Sequence, residues 1–116
     1  MRPAIFLCAQ ASLAEGCARG FDPYGEGRDS LVLVRWQGRL NAWRNRCPHQ
    51  HASLQYRKDR FMSADGQHLV CFAHGALFVP GTGVCVLGPC LGQSLQPKAL
   101  SLDEHGGVWL APALET

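Results

Sequence analysis

The sequence predicts an all-β protein, built as an antiparallel β-sandwich or barrel. Three observations point to this fold class: short segments of alternating apolar and polar residues, turn signals at regular spacing between them, and almost no helical periodicity. The chain has 116 residues, which is the size of one domain. We therefore expect residues 1–116 to form a single domain with one type of architecture throughout.

The first half of the chain contains one clear hairpin. Residues 4–9 are predicted to form the first strand, and residues 12–15 one helical turn. Large apolar side chains alternate over residues 30–36, and the alternation resumes over residues 40–44 after the pair Gln37-Gly38. Because a glycine-containing pair between two alternating segments is a typical hairpin turn, these two segments are predicted to pair.

Turn signals in the second half predict three further strand pairs. Residues 61–62 and 67–70 flank Ser63-Ala64-Asp65-Gly66, whose Asp-Gly pair favours a tight turn. A Pro-Gly-Thr-Gly run and a glycine-rich segment separate the other two pairs. These predicted pairs are residues 77–79 with 84–86, and residues 99–102 with 108–110.

Two short segments each offer one thiolate and one imidazole. They are Cys47-Pro48-His49, here called the first arm, and Cys71-Phe72-Ala73-His74, here called the second arm. A [2Fe–2S] cluster with two cysteines on one iron and two histidines on the other needs this mixed ligand set. Twenty-one residues separate the arms, which is enough for two loops joined by a hairpin.

The pattern Cys-x-His followed by Cys-x-x-His-Gly resembles that of the Rieske family. Gly75 follows the second arm as in that family, and Leu87-Gly88-Pro89-Cys90-Leu91, here called the cover loop, resembles the family's cluster-covering loop. The resemblance extends roughly over residues 31–110. It implies a small cluster-binding subdomain of two hairpin loops, at about residues 46–91, within a larger basal β domain. It also implies one [2Fe–2S] cluster, held by Cys47, His49, Cys71 and His74.

The chain departs from the respiratory members of this family at several positions. Those proteins have a disulfide at the positions of Ala52 and Ala73, and hydroxyl donors to the cluster at the positions of Ala76 and Phe78. Fewer hydrogen bonds to the cluster stabilise its reduced state less, so we predict a reduction potential in the lower half of the Rieske range. His51 replaces a glycine found in many relatives, and is either a solvated loop residue or a proton-active neighbour of the cluster.

The resemblance implies a Rieske-type ferredoxin that passes single electrons from a reductase to an oxygenase or similar terminal enzyme. It implies no catalytic activity of the chain alone, and the sequence contains no nucleophile–base set or glycine-rich nucleotide loop. Two alternatives remain open. One is a Rieske-like small subunit of a larger oxidoreductase, such as assimilatory nitrite reductase. The other is a structural zinc module, although such modules usually pair like ligands.

Charge and hydropathy exclude other classes of partner. The net charge is only +2, so nucleic-acid binding is not expected. No apolar run approaches the ~20 residues that span a bilayer, and the first residues do not resemble a signal peptide. A cytoplasmic location is therefore expected.

The basic residues have two interpretations, and the remaining cysteines have one. The cluster of basic residues is either a solvated face or an electropositive docking surface for an acidic redox partner. The four cysteines outside the arms, Cys8, Cys17, Cys85 and Cys90, are expected to be small buried hydrophobic residues. The basic cluster comprises Arg35, Arg39, Arg44, Arg46, Arg57, Lys58 and Arg60.

Overall fold

The computed structural model describes residues 4–48, 52–55 and 57–112. Within these residues the fold is almost entirely β, as predicted, with ten strands in three antiparallel sheets and one short 3₁₀ helix at Gln10–Ser12. The strands are β1 (Ile5–Ala9), β2 (Ala18–Phe21), β3 (Leu31–Trp36), β4 (Arg39–Arg44), β5 (Leu69–Cys71), β6 (Ala76–Phe78), β7 (Cys85–Leu87), β8 (Pro97–Lys98), β9 (Leu100–Leu102) and β10 (Gly107–Leu110).

The three sheets have simple orders. The first sheet has the order β1-β10-β9, the central sheet β2-β3-β4-β8, and the third sheet β5-β6-β7. The hairpin of β3 and β4 forms the middle of the central sheet, with Gln37 and Gly38 at positive φ in its turn. The third sheet is built from three consecutive strands. In the sequence they lie between β4 and β8, the two edges of the segment that the other two sheets leave out.

Two hydrophobic cores lie on opposite faces of the central sheet. Leu31 and Leu33 belong to one core, together with residues of the first sheet, whereas Val32 and Val34 belong to the other, together with residues of the third. All four side chains are at most 2% exposed. Because β3 is buried on both faces, its sequence is a continuous apolar run. The second core contains both arm cysteines, so the packing that stabilises the sheets also positions the candidate site.

Most predicted strand pairs are confirmed. Met62 bridges to Leu69 across the predicted Asp-Gly turn, β6 pairs with β7, and β9 pairs with β10. The short strands β2 and β8 were not predicted. Both are edge strands of the central sheet, and each exists because β3 or β4 offers a free edge rather than because of its own sequence pattern.

The predicted helical turn at residues 12–15 is wrong in position. The 3₁₀ helix lies at Gln10–Ser12 instead, because the Arg35 guanidinium donates hydrogen bonds to the carbonyls of Gln10 (2.6 Å) and Leu13 (2.6 Å). These long-range bonds fix the segment in a way that local sequence cannot indicate. Among the described residues no helix is long and apolar enough to cross a membrane.

Candidate metal centre

The second arm is the tip of the hairpin between β5 and β6. Cys71 is the last residue of β5 and lies opposite Ala76, the first residue of β6. The Cys71 carbonyl accepts hydrogen bonds from the amides of His74 (3.3 Å) and Gly75 (2.7 Å), which closes a tight turn. Gly75 has φ +73°, a conformation that favours glycine, and this explains the glycine of the motif.

The first arm follows β4 and is held by backbone and side-chain hydrogen bonds. The Cys47 amide donates to the Ala52 carbonyl at 2.7 Å and so closes the loop. The buried Asn45 side chain accepts a hydrogen bond from the Leu54 amide at 2.8 Å. The Leu54 carbonyl in turn accepts one from the Phe72 amide at 3.0 Å, which joins the first arm directly to the second.

These connections bring Cys47 and Cys71 together. Both side chains are fully buried in the same hydrophobic core. Burial raises the pKa of the Cys71 thiol above its ordinary value, and the neighbouring Cys47 side chain raises it further. Because a metal binds the deprotonated sulfur, a metal ion bound here would have to offset the cost of burying that negative charge.

The histidines are placed differently from the cysteines. His74 is exposed, three residues beyond the buried Cys71 on the same arm. Sulfur therefore lies inside and imidazole lies at the surface, as expected for a cluster with a buried and an outer iron. His49 and His51 lie outside the described residues. Among the described residues no three cysteine, histidine or carboxylate side chains converge on one point as a preformed metal site.

The cover loop packs directly against the second arm. Gly88, at φ +107°, lies so close to β6 that a Cβ atom there would be 2.8 Å from the Ala76 Cα. Only glycine allows this approach. The same packing places Cys90, fully buried, in the core with Cys47 and Cys71.

The cysteines outside the arms are buried with one exception. Cys8, Cys85 and Cys90 are buried as predicted, whereas the prediction for Cys17 is wrong, because its backbone pairs with Arg35 and leaves its side chain exposed. Burial, and then the adjoining Cys85, raises the pKa of the Cys90 thiol to about 12.

The basic residues divide into structural and exposed members. Arg35 is part-buried and hydrogen-bonded to the chain, and Lys58 forms a 2.7 Å ion pair with Asp29, so both stabilise the fold. Arg46 is exposed, and it lines one surface cavity with Arg44 and Pro48 beside the first arm. Arg46, the basic residue that directly precedes Cys47, is therefore accessible from solvent.

Sequence reasoning missed Asn45 and the proximity of Cys90. Asn45 lies two residues before Cys47, but nothing in the sequence indicates that its amide bridges several loops. Its Nδ2 donates to the Asp29 carbonyl at 2.7 Å and to the Gln55 side chain. Cys90 reaches the arms only because the cover loop folds onto Ala76, which is a tertiary effect.

The residues present fit a [2Fe–2S] cluster. The Cys47 and Cys71 side chains are buried in the same hydrophobic core. The exposed His74 imidazole belongs to the same arm as Cys71. Soft thiolates and imidazoles are the ligands such a cluster uses. When bound, the cluster accepts and releases one electron.

Comparison with known proteins agrees with this fit. The sequence model of the Rieske [2Fe-2S] domain matches residues 4–108. The chain is 32% identical over 89 residues to the oxidoreductase NdmD of Pseudomonas putida, a match that covers 72% of this chain and 14% of that protein. The chain therefore spans about a seventh of the length of this relative.

Solved structures share the fold. The ferredoxin of carbazole 1,9a-dioxygenase from Nocardioides aromaticivorans IC177 has a TM-score of 0.71 at 22% identity, covering 96% of this chain and 99% of its own. A chain in the complex of reduced oxygenase and oxidized ferredoxin in carbazole 1,9a-dioxygenase has a TM-score of 0.72 at 26% identity, covering 99% and 100%. The terminal oxygenase of carbazole 1,9a-dioxygenase from Novosphingobium sp. KA1 has a TM-score of 0.75 at 20% identity, covering 99% and 31%.

The match to the domain model extends over almost the whole chain and includes both arms and the cover loop. The predicted Rieske fold and the predicted [2Fe–2S] cofactor are confirmed by it and by the shared architecture. The chain belongs to the Rieske [2Fe-2S] domain family.

Proposed function

We propose that this chain passes single electrons from a reductase to an oxygenase or a similar terminal enzyme, with its cluster held by Cys47, His49, Cys71 and His74. The burial of Cys47 and Cys71 in one core, at the base of the two arms, is the observation that carries this proposal. The exposed His74 supplies a route for the electron between the core and the surface. The chain itself transforms no substrate.

The proteins with which similar chains are found support the proposed partners. A structure similar over 99% of this chain comes from a complex of an oxygenase with a ferredoxin, and NdmD is described as an oxidoreductase. Apolar side chains are exposed near the arms of this chain, at Phe72, Leu87 and Leu91. Exposed apolar side chains in the second arm and the cover loop, together with the exposed positive charge of Arg46, suit transient docking of an acidic redox protein.

Ligand substitution tests the proposed ligand set. We expect Cys71→Ser to lose the cluster, seen as loss of visible absorption and of protein-bound iron. We expect His49→Ala to alter or abolish the electron paramagnetic resonance signal of the reduced protein, while the matched His51→Ala leaves that signal in place. A signal that survives His49→Ala and changes with His51→Ala would contradict the assignment.

We also propose that residues 46–91 form a cluster-binding subdomain within one domain of residues 1–116. The arms, the third sheet and the cover loop all lie in this range. The Leu54 amide donates a hydrogen bond to the Asn45 side chain, and the Phe72 amide donates one to the Leu54 carbonyl, which joins the two arms at the base of this range. Limited proteolysis tests the boundaries. Cluster loading should protect sites within residues 46–91 more strongly than sites in β1 or β10, and equal protection would contradict the subdomain.

A cytoplasmic location is proposed on the state of the cysteines. No disulfide joins any of the six cysteines, not even Cys85 and Cys90, whose sulfurs lie 3.0 Å apart. Disulfides are rare in reducing compartments, where adjoining thiols persist. Fractionation of the producing cells should recover the chain with the cytoplasmic contents, and recovery from an oxidising compartment would contradict the proposal.

A further inference from the structure

Two buried cysteines outside the proposed ligand set lie in contact with each other. Cys85 begins β7 and is 1% exposed, and Cys90 belongs to the cover loop and is fully buried. The Cys90 thiol donates a hydrogen bond to the Cys85 sulfur, and the two sulfurs are 3.0 Å apart. The Cys85 thiol in turn donates to the Leu87 carbonyl at 3.2 Å. The proposed electron transfer uses neither of these thiols.

Backbone hydrogen bonds hold the two cysteines at this separation. The Cys85 amide donates to the Gln93 carbonyl at 2.7 Å, and the Cys85 carbonyl accepts a hydrogen bond from the Gly92 amide at 3.1 Å. The Gln93 amide donates to the Cys90 carbonyl at 2.8 Å. One turn of the chain therefore returns Cys90 to the side of Cys85, and the backbone itself sets the distance between the sulfurs.

The surroundings of the pair suit a disulfide at least as well as two thiols. Formation of an S–S bond of about 2.05 Å requires the sulfurs to approach by only about 1 Å. Burial, and then the adjoining Cys85, raises the pKa of the Cys90 thiol, so this core disfavours a thiolate. A disulfide carries no charge, and its formation removes only two hydrogen bonds from weak S–H donors.

We infer that Cys85 and Cys90 are a dithiol–disulfide couple, whose oxidation cross-links the cover loop to the start of β7. The inference does not depend on which residues bind the cluster. Leu87 and Leu91 of the cover loop are 57% and 67% exposed, and both belong to the apolar side chains proposed to dock a redox partner. Oxidation of the pair therefore fixes the loop that carries part of the proposed docking surface.

The co-reactant is a small disulfide, for which oxidised glutathione is the probe. The reaction proceeds in molecules whose cover loop has opened locally, because burial excludes the oxidant and disfavours the thiolate. The Cys90 thiolate attacks the glutathione disulfide, which forms a mixed disulfide and releases one glutathione. Cys85 then attacks the Cys90 sulfur and releases the second glutathione. The two glutathione sulfurs take up the two thiol protons, and the pair loses the two electrons that reduce one glutathione disulfide.

Equilibration of the cluster-loaded protein with glutathione redox buffers, without oxygen, tests this couple. Alkylation of the quenched, unfolded chain and mass spectrometry of its peptides count the free thiols. Cys17→Ser serves as the background, because the exposed Cys17 would form mixed disulfides of its own. We expect Cys85 and Cys90 to lose their labels together. The equilibrium constant for disulfide formation should be at least about tenfold larger than in the same chain unfolded in urea, since the fold holds the two sulfurs in contact.

Hydrogen exchange of the same protein gives a second readout. The Leu91 amide donates to the Gly88 carbonyl at 3.2 Å, and the Gly92 amide donates to the Cys85 carbonyl, so both report on opening of the cover loop. We expect these two amides to exchange at least about threefold more slowly once the pair is oxidised. The Gly66 amide, in the turn before β5, is the control and should exchange at the same rate in both states.

Two variants and three outcomes decide the inference. Cys85→Ser and Cys90→Ser each leave one thiol without its partner, so neither should show the paired loss of labels or the slower exchange. A lasting mixed disulfide in place of the paired loss, an equilibrium constant no larger than that of the unfolded chain, or cover-loop exchange that ignores oxidation would overturn the inference.

Failure of the wild type to bind a cluster would contradict the proposed function alone. The thiol count of Cys85 and Cys90 would still decide whether they form the couple. Conversely, a red-brown protein whose visible spectrum persists while these thiols fail to pair would contradict only the couple, so the two failures are distinguishable.

Discussion

Asn45 is the residue that connects the two ligand arms to the central sheet. Its side chain is 7% exposed and makes hydrogen bonds at both ends of the amide, to Leu54 on one side and to Asp29 and Gln55 on the other. A buried amide with all its partners in place fixes the loops around it in one arrangement. The geometry of the arms therefore depends on a residue that is not itself a ligand.

Asn45→Ala should lower the free energy of unfolding by about 1–3 kcal/mol, because it leaves the buried Leu54 amide without its acceptor. Urea denaturation measures this change, and iron content per chain measures the loss of arm geometry. Asn41→Ala, at a half-buried position of β4, is the matched control. Equal effects of the two substitutions would show that Asn45 has no special role.

The residues around the cluster also set its potential. Ala76 and Phe78 are fully buried beside the second arm and carry no hydroxyl group. Imidazole ligation places Rieske clusters between roughly −150 and +300 mV, and hydrogen bonds move them within that range. We expect a midpoint in the lower half of the range. A redox titration with a midpoint well above about +100 mV would contradict this expectation.

At the scale of elements, turns and close approaches decide where the strands lie. Gly83, in the turn between β6 and β7, has φ +75°, and a Cβ atom there would be 2.8 Å from the Trp43 ring. The Trp43 indole donates a hydrogen bond to the Pro80 carbonyl of the same turn at 3.0 Å. The ring thus connects the third sheet to the central sheet, and the turn has no room for a side chain.

Gly83→Ala should lower the free energy of unfolding by about 2–4 kcal/mol, which combines backbone strain with overpacking against Trp43. Gly66→Ala is the matched control, because Gly66 also has positive φ but has nothing within 4 Å of its Cβ position. It should cost about 1 kcal/mol from strain alone. Chemical denaturation measures the free energy of unfolding of both variants. Equal losses would show that overpacking against Trp43 contributes nothing.

Asp103 holds the turn between β9 and β10. Hydrogen bonds from the Trp109 indole, and from the amides of Gly107 and His105, lower the pKa of its carboxyl below the ordinary value. A depressed carboxyl pKa gives stability that is present above the unfolded-state pKa and is lost as the pH falls through the folded-state value. The hairpin should therefore weaken only in acid, below about pH 4.

Asp103→Asn should lower stability at pH 7 and reduce the loss of stability between about pH 4 and pH 2. Thermal unfolding across this pH range measures the difference between the variant and the wild type, which should shrink as the pH falls. A difference that stays constant with pH would show that the negative charge of Asp103 contributes nothing.

The sequence was informative where an element is defined locally. The hairpins of β3–β4, β6–β7 and β9–β10 have apolar strands around glycine-containing turns, so their own residues specify them. β2 and β8 are specified by neighbours instead. Gly20 in β2 lies where a Cβ atom would be 2.6 Å from Asp29, and this constraint belongs to the tertiary structure. The resemblance of the two arms to the Rieske motifs implied that Cys47 and Cys71 lie in one site, whereas the approach of Cys90 was not predictable from those motifs.

For the whole molecule, charge is distributed unevenly although the net value is small. β4 begins at Arg39 and ends at Arg44. Arg46 follows two residues later and directly precedes the first arm. At about 3.4 Å per residue, Arg39 lies about 17 Å along the strand from Arg44. Arg46 is therefore beside the candidate centre, and Arg39 is at the opposite end of the strand.

Arg46→Glu should slow oxidation of the reduced protein by the anion ferricyanide about three- to tenfold at low ionic strength, and should speed oxidation by the cation tris(phenanthroline)cobalt(III). Added salt should reduce both effects. Arg39→Glu has the same charge change and should leave both rates nearly unaltered. Stopped-flow absorbance measures the rates, and equal effects of the two substitutions would mean that net charge alone governs electron exchange.

The central claim is that the two arms hold a [2Fe–2S] cluster that exchanges one electron. Electron paramagnetic resonance of the purified protein, combined with its visible spectrum and metal content, tests this most directly. We expect a red-brown protein with two irons per chain that gives a rhombic signal after one-electron reduction. A colourless protein that contains one zinc ion per chain would contradict the claim and indicate a structural metal site.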